Sequence, residues 1–323
     1  MTNRSVIYSG PFEVSNPTRH ASVVSQRGQS RLVSVDHYEN FPVASVLCPP
    51  ALRPAIAAIY GYARTADDLA DEGEVPAEQR LADLAAYRAD LQAIIEGRAP
   101  SARWAPVFNA LRSALQRHAL PTGLLADLLS AFEQDVVKHR YADRPELLDY
   151  CRRSANPVGR LLLHLYGIDD AASLRQSDSI CTALQLANFW QDLGVDAGRG
   201  RLYVPASDAQ RHGVDPEHLL ARVDSPAVHT LVEELVHWTT DQMETGAPLA
   251  TSVPGRAGWE LRLVVQGGLR ILEKIRRTGY ATLLRRPKLH ARDVPLLLWR
   301  AVRMRDGRVT VQRRSASCSP PTA

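Results

Sequence analysis

The stretch that most constrains the fold is 184–196, which reads LQLANFWQDLGVD. Asn188, Asp192 and Asp196 recur every four residues, so on an α-helix their oxygens share one face, with Gln185 about one turn earlier. Most of the intervening residues are apolar, which predicts a buried helix. Buried carboxylates need partners, and Mg²⁺ prefers hard oxygen ligands together with phosphate. The stretch favours a metal site over the alternative, a solvated helix face.

A second acidic stretch occurs early in the chain, where Asp67 and Asp71 lie one helical turn apart. Asp68 points about 100° away from them around the helix. Acids near a helix C-terminus oppose the helix dipole, and a broken local rule often marks a functional site. An acidic helix end that frays into Gly73 is the alternative. Two facing acidic helices could hold Mg²⁺ ions against a diphosphate leaving group.

Helical periodicity with glycine or proline stops predicts an all-α chain of nine or ten helices in a single domain. The predicted helices are 51–72, 77–96, 104–119, 122–139, 146–166, 173–195, 227–245, 259–278 and 291–304, with a kink or break at 156–159. We expect a disordered leader over 1–34, the folded domain over 35–302 and a disordered basic tail over 303–323.

Charge and cysteine usage exclude several classes of protein. A net charge of +4 and a pI near 9.0 fit an anionic substrate or an anionic membrane surface. The four cysteines form no CxxC pair, so neither zinc nor a disulfide framework is indicated. The single Glu-x-x-His pair, Glu234 and His237, is one short of a di-iron bundle. Without a signal or spanning segment, we expect a cytoplasmic protein with peripheral contact at the inner face of the cell membrane.

Several motifs together resemble the squalene/phytoene synthase family of head-to-head isoprenoid synthases. They are Asp67-x-x-x-Asp71, Asn188-x-x-x-Asp192-x-x-x-Asp196, Arg64 before the first, Arg201-Leu-Tyr203-Val-Pro205 after the second, and the Tyr150-Cys151 and Val158-Gly159 pairs of a kinked helix. The resemblance covers about residues 36–300. It implies the isoprenoid synthase fold, a helical bundle around a central apolar cavity capped by the two acidic helices.

The resemblance also implies roles for individual residues. The expected Mg²⁺ and diphosphate ligands are Asp67, Asp71, Asn188, Asp192 and Asp196. The residues expected to act on the diphosphate or the developing cation are Arg64, Arg201 and Tyr203. The expected further substrate contacts are Tyr60, Gln185, Val158, Gly159, His37 and Phe41. For Arg64 an ordinary ion pair, and for Tyr60 plain core packing, are the alternatives.

Departures from the family pattern suggest a single diphosphate. Family members that condense two prenyl diphosphates commonly carry a Ser-Lys-Ser type segment after the histidine, whereas Tyr38, Glu39 and Asn40 follow His37 here. Gln191 stands where arginine is common. Both changes remove positive charge, so we expect a site for one diphosphate only. The motifs HYENFP at 37–42 and NFWQD at 188–192 resemble those of family members in the hopanoid pathway. That resemblance implies that presqualene diphosphate is ionised, rearranged and quenched by water to hydroxysqualene. No strand followed by GxGxxG indicates a nicotinamide site.

Two alternatives remain open. One is condensation of two farnesyl or geranylgeranyl diphosphates to presqualene diphosphate or phytoene. The other is a non-catalytic helical partner of a pathway synthase, against which the intact acidic motifs count. The expected cofactor is Mg²⁺. The expected partners are the prenyl diphosphate, a membrane surface and neighbouring pathway enzymes, with no nucleic acid.

Overall fold

The computed structural model describes residues 48–304, and this part of the chain is helical without a β-strand, which confirms the all-α prediction. The helices are α1 Arg53–Asp71, α2 Ala77–Ile95, α3 Ala105–His118, α4 Thr122–Val137, α5 Arg144–Ser154, α6 Asn156–Leu165, α7 Ala171–Gln191, α8 Leu193–Ala197, α9 Ala206–Arg211, α10 Pro216–Leu220, α11 Pro226–Gly246, α12 Leu249–Ser252, α13 Gly255–Arg277, the 3-10 helix Ala291–Asp293 and α14 Val294–Arg303. His37, Phe41, the leader and the tail beyond Met304 lie outside the described residues.

The described residues hold more helices than the nine or ten expected. Three of the additional ones are α9, α10 and α12, which have six, five and four residues. Segments this short carry too few turns for a hydrophobic period to be read. The expected break at 156–159 is confirmed, since α5 ends at Ser154 and α6 begins at Asn156 with Pro157 in its first turn. A proline there lacks the N–H that would continue the preceding helix.

The predicted helix over 173–195 is interrupted at Asp192, which ends α7 and precedes α8. Two residues after this interruption lies Gly194, where a Cβ would come 2.0 Å from the Leu283 carbonyl oxygen. The segment after α13 therefore presses against this turn, and only glycine permits the approach. The backbone N–H of Asp192 still donates to the Asn188 carbonyl at 2.8 Å, and that of Asp196 to the Asp192 carbonyl at 2.9 Å. The four-residue spacing of Asn188, Asp192 and Asp196 is therefore kept across the interruption.

Two aromatic-rich cores fix the helices that carry the acidic motifs. In one, the Trp190 indole of α7 is fully buried and donates to Thr239 of α11 at 2.7 Å. In the other, Tyr62 of α1 stacks on Tyr87 at 5.5 Å between ring centroids and donates to the Leu125 carbonyl at 2.9 Å. Buried aromatic rings with satisfied polar atoms contribute strongly to packing, so α1 and α7 are held firmly. Within residues 48–304, no helix combines the length and apolarity that a membrane crossing requires.

Candidate active site

An apolar cavity with an open mouth lies between α1, α6, α7, α12 and α13. The face that α1 turns toward it comprises Ile56, Ile59, Tyr60, Ala63, Arg64 and Asp67. The corresponding face of α7 comprises Ser177, Ile180, Cys181 and Leu184. Each set recurs at three- and four-residue intervals, as one face of a helix must. The central apolar cavity that the family resemblance implied is therefore present.

Both helices carry their acidic motif as a continuation of the cavity-lining face. On α1 the face ends at Asp67, one turn before Asp71, and on α7 the residue one turn beyond Leu184 is Asn188. Arg201 joins the two motifs, because its guanidinium donates to Asp71 at 2.6 Å while its backbone N–H donates to the Asp196 carbonyl at 2.9 Å. The acids of both stretches thus meet at one end of the apolar cavity.

Arginine side chains from three separate elements hold these acids. Arg64 lies 3.3 Å from Asp67, and it also pairs with Asp68 at 2.8 Å and with Glu72 at 2.8 Å. Arg201 pairs with Asp71. Arg64 therefore makes the ion pairs that were its alternative role, and it also lines the cavity. Its action on the diphosphate stays a prediction.

The third arginine, Arg286, was not among the predicted site residues. Its Nε lies 2.5 Å from Asp192 Oδ1, and its Nη2 lies 2.9 Å from Asp192 Oδ2. It comes from the loop after α13, and no spacing in the sequence connects Arg286 with a motif ninety-four positions earlier. Only the tertiary fold reveals it.

Burial disfavours the ionised form of several carboxyl groups at this end of the cavity. Burial raises the pKa of Asp67 well above its usual value despite the nearby Arg64. Burial, and next the adjacent charge of Asp192, raise the pKa of Asp196 to about 8. Burial also raises the pKa of Asp68 to about 6. A cation would stabilise the ionised form of each of these groups.

The residues present suit Mg²⁺ held jointly with a substrate phosphate. Asp71 Oδ2 is sealed from solvent and accepts no hydrogen bond within the described chain. No group of three or more His, Cys, Asp or Glu side chains in residues 48–304 converges closely enough to hold a metal alone. Mg²⁺ commonly takes only one or two carboxylates and completes its shell with phosphate oxygens and water. The donor set therefore fits an ion that arrives with its diphosphate.

Asp135 is a further acid that the sequence reasoning missed. It lies in the last turn of α4, where the Tyr150 hydroxyl donates to its Oδ2 at 2.7 Å and its Oδ1 is sealed without a donor. Burial raises the pKa of Asp135 to about 7, although the Tyr150 hydrogen bond and the charge of Arg201 act in the opposite direction. Its position three residues after Phe132 on the buried face of α4 was the available signal.

Two predicted site residues, Tyr203 and Gln185, are not among the residues that line the cavity. Tyr203 stacks on Phe189 with ring centroids 3.8 Å apart and planes at 6°, and it is not among the residues that line the cavity. Gln185 is buried and is not among the lining residues either. Its contact with substrate stays a prediction.

Val158, Gly159 and Tyr60 do line the cavity, as expected. Gly159 is also required for the contact between α6 and α7. A Cβ at Gly159 would lie 2.4 Å from Ser177 Oγ and 2.6 Å from Cys181 Sγ. The kinked helix therefore approaches α7 at a distance that only glycine allows.

The structure revises the argument from Gln191 and supports the argument against a di-iron bundle. The side-chain amide of Gln191 donates a hydrogen bond to the Pro287 carbonyl at 2.8 Å. Gln191 lacks the positive charge that arginine would bring there, but Arg286 supplies one to the adjacent Asp192. The count of positive charges from sequence was therefore incomplete. Glu234 pairs with Arg144, Arg211 and His212, so it is not available as a di-iron ligand.

Comparisons with known proteins agree with this geometry. The squalene/phytoene synthase family model matches residues 35–297. A hydroxysqualene synthase of Rhodopseudomonas palustris is 36% identical over 228 residues, 70% of this chain and 75% of that protein. A phytoene synthase of Thermus thermophilus is 32% identical over 267 residues, 82% of this chain and 88% of that protein. The crystal structure of squalene synthase HpnC from Alicyclobacillus acidocaldarius is 38% identical with a TM-score of 0.69, covering 76% of this chain and 90% of that one.

Proposed function

Because the chain belongs to the squalene/phytoene synthase family, we propose that it ionises presqualene diphosphate in a Mg²⁺-dependent reaction and lets water quench the rearranged cation to hydroxysqualene. The observation that carries the proposal is the placement of both acidic motifs at one end of a single apolar cavity. A prenyl diphosphate has the same two-part character, with a charged head and a hydrocarbon body.

Two observations support water as the group that quenches the cation, namely the names of the similar proteins and the apolar lining of the cavity. Hydroxysqualene synthase is the name borne by the Rhodopseudomonas relative, which covers 70% of this chain. The reaction takes presqualene diphosphate and water to hydroxysqualene and diphosphate, so atoms balance without a reductant. The cavity walls are mostly apolar, which excludes stray nucleophiles from the cation until the rearrangement is complete.

The side chains at the acidic end of the cavity have different roles in the ionisation of the substrate. When bound, Mg²⁺ ions would supply Lewis-acid stabilisation of the leaving diphosphate. Each ion would be held by the diphosphate and by one or two members of a set of five residues, Asp67, Asp71, Asn188, Asp192 and Asp196. Arg64 lines the cavity beside Asp67, so its guanidinium can contact the diphosphate from the substrate side. Arg201 keeps the two motifs in register through its contacts with Asp71 and Asp196. The developing negative charge therefore meets fixed positive charge without proton transfer.

A second candidate is the condensation of two prenyl diphosphates. The ion pair between Arg286 and Asp192 favours this candidate. The argument for a single diphosphate counted positive charges near the second motif, and it did not include the charge of Arg286. The phytoene synthase relative, with 82% of this chain covered, points the same way.

One experiment separates the two. The purified protein is incubated with Mg²⁺ and either presqualene diphosphate or farnesyl diphosphate, without NADPH, and the extracted products are identified by mass. Hydroxysqualene from presqualene diphosphate, with little or no product from farnesyl diphosphate, supports the proposal. Efficient condensation of farnesyl diphosphate would replace it with the second candidate. We further propose that the protein works in the cytoplasm at the inner face of the cell membrane, since its substrate and product are C30 hydrocarbon chains.

A further inference from the structure

One acidic side chain lines the cavity outside the acidic motifs. Among the described residues that form the lining, Arg64, Asp67 and Glu260 are the charged types, and Glu260 lies on α13. Its neighbours in the wall are apolar, including Ala257, Leu261 and Val264. An ionisable group in such a wall needs a specific explanation.

Glu260 lies at the opposite end of the cavity from Asp67. The lining residues of α1 extend from Ile56 to Asp67, about 16 Å at the rise of an α-helix. Cys48 precedes α1, and its carbonyl accepts a hydrogen bond from Arg53 at 3.1 Å. The electrostatic neighbours of Glu260 are Cys48 and Tyr166, so this carboxyl belongs to the end where α1 begins.

Glu260 has no compensating charge among residues 48–304. Within residues 48–304, no salt bridge or hydrogen bond reaches its carboxyl, and burial alone raises its pKa to about 7. Arg262, two positions along α13, turns away to the Ala250 carbonyl at 3.1 Å and lies 4.8 Å from the centroid of the Trp259 ring. A leucine here would suit the cavity better, and a residue that burdens stability in this way is a candidate for function.

We propose that Glu260 determines substrate length by ending the apolar path along which the prenyl chain lies. The inference rests on the proposed function, because it requires a diphosphate at Asp67 and a hydrocarbon chain that follows α1. A chain long enough to reach Glu260 would strip solvent from its carboxyl and return no hydrogen bond. Chains that stop short of Glu260 meet only apolar walls and are accepted.

The test compares substrates of two lengths in Glu260→Leu, Glu260→Met and Glu260→Gln. The substrates are presqualene diphosphate and its C40 homologue prephytoene diphosphate, and in parallel farnesyl and geranylgeranyl diphosphate. We expect the leucine and methionine variants to raise kcat/KM for the longer substrate relative to the shorter by about tenfold, the discrimination that a small change in an apolar pocket provides. Glu260→Gln keeps a polar end and should retain the wild-type ratio. Glu78→Leu, at an exposed position of α2, makes the same substitution away from the cavity.

An unchanged length ratio in both folded apolar variants would overturn the role of Glu260. The parallel pair of substrates separates this failure from failure of the proposed function. If the wild type condenses farnesyl diphosphate and leaves presqualene diphosphate intact, the water-quench proposal fails, while the length ratio of the C30 and C40 products still reports on Glu260. A protein that consumes none of the four substrates would overturn both.

Discussion

Arg286 forms a bidentate ion pair with Asp192, in which Nε donates to Oδ1 at 2.5 Å and Nη2 donates to Oδ2 at 2.9 Å. The Asp192 side chain is 1% exposed and that of Arg286 is 33% exposed, so the carboxylate is buried while its partner reaches solvent. A buried carboxylate that loses its partner is costly. In the protein without metal, Arg286 therefore compensates the negative charge of Asp192, which bound Mg²⁺ would also compensate.

The first prediction follows from this pair. Arg286→Gln should lower the free energy of unfolding by about 2 kcal/mol, less than for a fully buried pair because Arg286 is partly solvated. The melting temperature should fall by roughly 5 °C. Added Mg²⁺ with inorganic diphosphate should recover most of this loss, since a second cation then faces Asp192. Calorimetry with and without the ions measures both effects. The neighbouring Arg285→Gln, at an exposed position, is the control and should show neither effect.

The second prediction concerns the metal. Asp67→Asn should reduce release of diphosphate by at least about a hundredfold, the loss typical of a group that stabilises transition-state charge. Its melting temperature without metal should stay the same or rise, because burial already disfavours the charged form of Asp67. Activity that persists in excess EDTA would contradict the Mg²⁺ requirement.

The third prediction concerns the source of the alcohol oxygen. If water quenches the cation, a reaction in ¹⁸O-labelled water should give a C30 alcohol heavier by the labelled oxygen, without NADPH. Mass spectrometry of the product reads this directly. An unlabelled alcohol would show that the oxygen comes from the diphosphate, and squalene formed only with NADPH would indicate a reductive ending instead.

The fourth prediction uses the close approach of α6 and α7. Gly159→Ala should cost about 1–3 kcal/mol in unfolding free energy, because the new methyl group forces Ser177 and Cys181 to shift. Gly61→Ala is the matched control within α1, where a Cβ would have no atom within 4 Å. That change should stabilise the protein by about 0.4–1 kcal/mol through the unfolded chain. Equal effects of the two substitutions in urea denaturation would refute the packing argument.

The fifth prediction is a pH dependence of stability. Burial raises the pKa of Glu260 in the folded protein to about 7, above its ordinary 4.5. A raised acid pKa favours folding fully below pH 4.5, and this advantage is lost as the pH rises through 7. Glu260→Gln should therefore match the wild type at pH 4.5 and exceed it above pH 7 by about 1 kcal/mol, after discounting for partial solvation. A stability difference that does not vary over this range would argue against a desolvated carboxyl.

The helices and both acidic motifs were predictable because their signals are local. The four-residue spacing of Asp67 and Asp71 fixes their shared face whatever surrounds them. The pairing of Arg286 with Asp192 was not predictable, since it depends on where the fold places the loop after α13. The approach of the Leu283 carbonyl to Gly194 depends on the same loop. Asp135 was not predicted because no recognisable sequence motif surrounds it.

The contacts of Leu283 and Arg286 with the second motif also set an order of events during synthesis. Arg286 follows Asp192 by ninety-four residues, so the ribosome delivers it long after α7 and the acids have emerged. Chains fold from the N-terminus as they are made. Until the segment after α13 arrives, Asp192 lacks the guanidinium that pairs with it and Gly194 lacks the carbonyl that packs against it. The nascent chain therefore cannot complete its acidic site until the segment after α13 has been translated.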